Sequence, residues 1–208
     1  MRLLVLCEHD RGVLADAALE ALTAARDLAA KLDVDLEAVL IADEEEAVEA
    51  AATTTGTYGA NKVHLVTHDL LVDYGPDAWA QALGQLMEEV DGQVIVTSGT
   101  DRGNEVLAHV AARADLPFVA NCLTVDLATD GGDFTMTRVQ GGGSLLEDVQ
   151  LSSDVKQLSF AHHGVVAEQV TAANGAEPAT VDVETFSPDL DESVSATMVQ
   201  DRDVLSQG

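Results

Sequence analysis

The six residues Ser98-Gly99-Thr100-Asp101-Arg102-Gly103 gather small and polar side chains into one loop of this 208-residue chain. They offer hydroxyls, flexible backbone N–H groups and one guanidinium immediately ahead of a helix-forming run, which is anion-binding chemistry. A plain strand-to-helix turn uses the same residue types, and the sequence leaves both readings open. Ser98, Gly99, Arg102 and Gly103 are the candidate ligand-binding residues of this loop, with Arg138 as a fifth candidate further along. Arg138 is one of few cations, suited either to pairing with a neighbouring carboxylate or to reaching a bound group. Glu8 and His9 set a carboxylate beside an imidazole, a pairing able to move protons and equally able to cap a turn. Gly141-Gly142-Gly143 lacks the spacing and following helix of a dinucleotide fingerprint and reads as a bend. His162-His163 has no further ligand at metal spacing, so no metal site is expected. No Ser-His-Asp or Cys-His order in a nucleophile-elbow context is present, so no catalytic residue is expected.

These residues need a scaffold, and the apolar pattern supplies one. Leu3–Cys7 is a continuous apolar run, suited to a strand buried on both faces. Asp16–Leu32 places Leu19, Leu22, Ala25, Ala29 and Leu32 on one helical stripe, with Asp16 suited to its N-terminus. Val34–Ala42 reads as a second strand, Glu44–Thr54 as a helix, Gly56–Gly59 as a turn and Val63–Val66 as a third strand. A helix follows from Pro76, with Trp79, Leu83, Leu86, Met87 and Val90 on its apolar face. Asp91-Gly92 ends it, and Val94–Thr97 forms the fourth strand. The polar loop comes next, then a helix carrying Leu107, Val110, Ala111 and Ala114, stopped by Asp115 and Pro117. Four strand–helix alternations predict parallel βαβ units with right-handed crossovers. In such open sheets ligands gather outside the carboxyl ends of the strands, where the Ser98–Gly103 loop lies.

After Leu127 the pattern changes. Thr129-Asp130-Gly131-Gly132 reads as a hairpin turn and Asp133–Val139 as an antiparallel strand. Ser144–Leu151 and Val155–Phe160 read as further strands at the sheet's edge. Ala172–Pro178 is linker-like, and Thr180–Phe186 and Val194–Val199 are weak strand candidates. Asp201–Gly208 reads as a frayed end. The expected fold is α/β, a three-layer α/β/α Rossmann-like sheet, mostly parallel with antiparallel edge strands. Residues 1–165 form its main domain and 166–208 an acidic segment.

The chain carries 37 acidic and 10 basic residues, a formal net charge of −27. That balance argues against nucleic acid, whose phosphates need basic contacts, and against anionic membranes. With 47% hydrophobic residues in periodic order, disorder is not the reading either. A surface built for high salt is, since screening shortens the Debye length to roughly 3 Å at 1 M salt. Cys7 and Cys122 lie in apolar strand runs and read as buried reduced thiols. The first apolar run is too short for a signal peptide or membrane span, so a cytoplasmic protein without membrane insertion is expected.

One family shares this order of motifs. Cys7-Glu8-His9 with Gly12 and Leu14, Ala24–Ala29, Tyr58-Gly59-Ala60 with Val63, Thr97–Gly103, Ala111-Ala112-Arg113, and Thr137-Arg138 with Gly141-Gly142 together resemble the N-terminal domain of the electron transfer flavoprotein alpha subunit. The match covers about residues 1–163. The sequence departs at Val139 and Gln140, which stand where the family has proline and an aromatic. The resemblance implies an adenine nucleotide alpha hydrolase-like fold and a role in a heterodimer. That complex would pass electrons from flavoprotein dehydrogenases through FAD toward the respiratory chain, with the electron transfer flavoprotein beta subunit as partner. It further implies that FAD sits mainly in a C-terminal domain beyond this sequence, and AMP, where present, in the partner subunit. The loop also looks like a pyrophosphatase-type S-G-G-x-D-S loop. However, it follows the fourth strand rather than the first, and Arg102 stands where that loop needs serine. A universal-stress-protein-like nucleotide module is the alternative, binding AMP or ATP at Glu8–Gly12 and Thr97–Gly103.

Overall fold

Strands with apolar side chains on both faces need cover on both sides, and four helices provide it among the described residues. The computed structural model describes residues 1–45, 48–129, 132–171, 181–201 and 203. Its central sheet has nine strands: β1 (Leu3–Leu6), β4 (Leu36–Ala42), β5 (Lys62–Thr67), β6 (Val94–Ser98), β7 (Phe118–Leu127), β8 (Phe134–Gln140), β9 (Leu145–Leu151), β10 (Lys156–Phe160) and β11 (Asp182–Phe186). The short strands β2 (His9–Asp10) and β3 (Val13–Leu14) form a separate hairpin. The order across the sheet is β11-β5-β4-β1-β6-β10-β7-β8-β9. Strands β11 to β7 in that order run parallel, and β8 and β9 close one edge antiparallel.

Helices α1 (Asp16–Leu32) and α2 (Glu49–Thr57) cover one face, against Leu3, Val5, Ala38 and Leu40. Helices α3 (Pro76–Val90) and α4 (Asp101–Ala114) cover the other, where Trp79, Leu83, Leu86 and Leu107 meet Leu4, Leu6, Ile41 and Ile95. Each fully buried leucine contributes about 1.5–3 kcal/mol through desolvation. Three of the helices end on an aspartate in the left-handed region: Asp33, Asp91 and Asp115, with φ of 55°, 54° and 53°. This position usually falls to glycine or asparagine.

The Asp16–Leu32 helix and the four parallel strands that alternate with helices form as their patterns predict. Other expectations are corrected. Val155–Phe160, expected at the edge, becomes the inner strand β10, parallel and hydrogen-bonded between β6 and β7. Lys156, Gln157 and Ser159 disguise its two-sided burial, yet all three are buried. Lys156 reaches this depth by giving its ammonium to the Ser153 carbonyl at 2.6 Å and lying over the Phe134 ring. Val194–Val199 gives no strand; residues 192–196 form a 3-10 turn that anchors Val194 against the α3 face. The second helix runs Glu49–Thr57, later than its acidic opening suggests. Asp16 serves α1 from within its first turn, because Ala15 holds the cap position and makes no side-chain cap bond.

The weak candidate at 180–186 does form a strand, parallel to β5 on the far edge from the hairpins. The hairpin turn expected at Thr129–Gly132 falls partly on residues 130 and 131, outside the described residues, as do the expected linker at 172–178 and most of the 201–208 end.

Candidate functional site

Successive strands build from β1 outward through β4 and β5, and then β6 lies on β1's other side. The carboxyl ends of β1 and β6 therefore flank the switch point where open α/β sheets place ligands. The loop at Glu8–Gly12 and the loop at Ser98–Gly103 both arrive there. Thr100 caps α4 by accepting from the Gly103 N–H at 3.0 Å, and donates its own hydroxyl proton to the Glu8 carboxylate at 2.7 Å. Behind it, Asn104, Asn121 and Ser159 form a small network: Ser159 donates to Asn104, Asn104 donates to Asn121, and the Asn121 N–H donates to Ser159. The sequence signal for this network is three polar side chains at otherwise apolar strand and helix positions.

The loop's glycines serve its own packing. A Cβ at Gly99 would meet Asn121 Oδ1 at 2.5 Å and the Phe160 carbonyl at 2.7 Å. At Gly103 it would collide with the Ser98 carbonyl oxygen. The Gly99 N–H is spent on the Phe160 carbonyl at 2.7 Å. Ser98 is only 1% exposed, and among the described residues its hydroxyl has no hydrogen-bond partner. Such an orphan costs about 1–3 kcal/mol. Of the four loop candidates, Arg102 is the exposed one. Its guanidinium lies 4.9 Å from the centre of the Tyr74 ring, and the Tyr74 hydroxyl donates to Glu105 at 2.6 Å.

Arg102 also borders a cavity of about 530 Å³, walled by His9, Arg11, Asp43, Tyr74 and Trp79. His9 is fully engaged there. Its Nε2 lies 2.8 Å from the Ile41 carbonyl, which requires a proton on that nitrogen, and its Nδ1 accepts from the Gly12 N–H at 3.4 Å. Burial lowers its pKa, outweighing the Ile41 carbonyl and the Asp10 and Glu8 charges that pull it up. The imidazole is thus neutral and committed to folding the β2–β3 hairpin, and Glu8 is committed to Thr100. The two do not form an acid–base pair.

Arg138 is not brought to the loop. Ser98, Phe160, Cys122 and Arg138 share one row across β6, β10, β7 and β8. Three strand spacings separate its ends, roughly 14 Å. Arg138 instead grips Glu147, its cross-strand partner, with Nε at 2.8 Å and Nη2 at 2.7 Å. An exposed pair of this kind contributes under about 1 kcal/mol. Gly141–Gly143 forms a 3-10 turn with positive φ at all three residues, joining β8 to β9. Burial pushes the Cys7 and Cys122 thiols up to about 12, so neither supplies a thiolate at neutral pH.

Residues 3–189 match the family model described as the electron transfer flavoprotein domain. The chain belongs to the electron transfer flavoprotein family. Among curated relatives, it is 32% identical over 142 residues to Protein FixB of Azorhizobium caulinodans, covering 68% of this chain and 38% of that one. It is 29% identical to the electron transfer flavoprotein subunit alpha of Thermoanaerobacterium thermosaccharolyticum, covering 80% of this chain and 49% of that one. It is 32% identical over 123 residues to the acryloyl-CoA reductase electron transfer subunit beta of Anaerotignum propionicum, covering 59% of this chain and 33% of that one. The chain thus spans less than half the length of these relatives. Family membership favours an electron transfer flavoprotein subunit over the universal-stress-protein alternative.

The family is associated with FAD, and the Ser98–Gly103 loop does not by itself fit that group's pyrophosphate. A flavin's pyrophosphate needs free backbone N–H groups approached through missing Cβ atoms. Here the space beside Gly99 and Gly103 is filled by the protein's own backbone and Asn121. Among the described residues no helix is long and apolar enough to cross a membrane.

Proposed function

We propose that this chain is the scaffold portion of an electron transfer flavoprotein alpha subunit, which passes electrons from flavoprotein dehydrogenases toward the respiratory chain. In this reading the beta subunit is its partner, FAD is held mainly by a C-terminal domain beyond residue 208, and AMP resides in the partner. Residues 1–165 hold eight of the nine strands of the α/β scaffold, and 166–208 is an acidic connecting segment that adds β11 to its edge, in a cytoplasmic complex whose acidic surface suits high salt. Ser98, Gly99, Arg102, Gly103 and Arg138 lie on the edge facing the flavin side of that complex. The match of the family model across nearly the whole sheet carries the reading. The glycine packing supports it, because a loop closed on itself is suited to support rather than to grip a phosphate.

Contact with a partner is supported by Leu145 and Leu146, 63% and 67% exposed where β9 begins on the outermost strand. Adjacent leucines so exposed on an edge strand favour a protein contact. The experiment is co-expression with the family's beta subunit. A one-to-one complex is expected, and Leu145→Asp with Leu146→Asp is expected to weaken it about tenfold or more, a loss of at least about 1.4 kcal/mol. Failure of the two chains to co-purify at high salt overturns the proposal.

A further inference from the structure

The turn after β10 gathers two imidazoles and a carboxylate that the switch-point site does not use. His162 and His163 follow Phe160 and Ala161, and the turn is closed by the Gly164 N–H donating to the Ala161 carbonyl at 2.9 Å. His163 adopts a left-handed φ of 61°. That conformation stacks the two rings, with centroids 3.7 Å apart and planes 25° from parallel. Helix α1 brings Glu20 from 143 residues away. Its Oε2 accepts from the His163 backbone N–H at 2.8 Å, and its Oε1 lies 3.3 Å from His163 Nδ1. One donor atom from each of the three residues lies within 4.8 Å of the other two.

We infer that Glu20, His162 and His163 form a binding site for a divalent transition metal of the zinc class. The donor set selects the metal: two imidazoles suit zinc, copper and nickel, whereas magnesium and calcium prefer all-oxygen shells. Bond lengths near 2.0–2.1 Å place tetrahedral donors about 3.3 Å apart. Both imidazoles are exposed, which leaves their rings room to turn through that difference. Glu20 does not need to move: its side chain is 15% exposed, and the His163 amide holds one oxygen while a metal would take the other in place of its contact with His163 Nδ1. Such support of a ligating carboxylate is what oriented metal ligands require. Three protein ligands leave one position open for water or a partner's side chain. The site lies on the α1 face, whereas the cavity beside Arg102 borders Trp79 on the α3 face. A bound ion would clamp the end of β10 to α1.

Zinc titration of the tag-free chain by calorimetry, at high salt and pH 7.5, tests this. One Zn2+ per chain is expected, with an upward shift in Tm and no displacement by excess Mg2+. Co2+ in place of Zn2+ is expected to give the visible bands of a tetrahedral site. His162→Ala with His163→Ala, both exposed and so compatible with folding, is expected to abolish the uptake and the Tm shift. Glu20→Gln still accepts from the His163 amide and is expected to weaken binding by at least about tenfold. A double-histidine variant that takes up Zn2+ as the parent does assigns the ion to the acidic surface and overturns the inference. So does a parent chain without stoichiometric uptake.

Discussion

Glu37→Ala is expected to remove about 1–3 kcal/mol of stability at neutral pH, the cost of leaving a buried hydrogen-bond donor without its acceptor. Glu37 is 5% exposed and His64 1% exposed, and both lie on adjacent central strands. The carboxylate meets His64 Nε2 at 2.6 Å through one oxygen and Arg2 Nη1 at 2.8 Å through the other. Alanine leaves His64 buried with nothing to receive its proton. A domain of this size has only about 5–15 kcal/mol in reserve, so the variant is expected to melt below the parent. Glu37→Gln, which keeps a hydrogen-bond acceptor, is expected to lose less.

The pH dependence has a definite sign. Burial works to raise the Glu37 pKa, but the His64 and Arg2 hydrogen bonds and charges outweigh it and hold it below the ordinary glutamate value of 4.5. A carboxyl lowered in the folded state contributes stability that is complete above the ordinary value and fades as pH falls through the folded one. Melting temperatures of parent and Glu37→Ala are therefore expected to differ most above pH 4.5 and to converge on further acidification. A gap that persists unchanged into strong acid contradicts the assignment.

Gly103→Val is expected to be the second costly change. Its Cβ would collide with the Ser98 carbonyl oxygen and approach Thr97 Oγ1 at 3.0 Å and Cγ2 at 3.1 Å. Neither neighbour yields easily. Ser98 ends a central strand, and Thr97 Oγ1 donates to the Leu6 carbonyl at 3.0 Å, tying β6 to β1. Overpacking of a rigid site costs about 1–3 kcal/mol and sometimes more. Displacing the first turn of α4 would also loosen the bond that the Gly103 N–H donates to Thr100 Oγ1. Gly84→Ala is the matched control: it lies within α3 with open space around its Cβ, so it is expected to be neutral or stabilising by up to about 1 kcal/mol. Chemical denaturation of the two variants beside the parent separates close packing from a general sensitivity of glycines.

Where an element's period is clean, the fold is legible in the residues. Helix α1 and strand β1 follow from uninterrupted apolar patterns, and two of the three left-handed aspartates at helix ends, Asp91 and Asp115, lie beside visible stop signals. Strand β10 escapes this reading because periodicity reports burial only through apolar side chains. Lys156 and Gln157 are buried polar residues, so a strand buried on both faces looks like an edge. The 192–196 turn is hidden because one anchor, Val194, decides it. At the site, the loop itself is legible from its composition. Its closure is not, since the groups filling the space beside Gly99 come from β7 and β10, distant in sequence. Glu20 and His163 are invisible as neighbours for the same reason.

The central claim is that this chain supports a flavin held elsewhere. Titration of FAD into the purified chain, followed by flavin fluorescence, tests it most directly. A colourless protein and no saturable change are expected. One tightly bound FAD per chain, lost on Arg102→Ala, would contradict it.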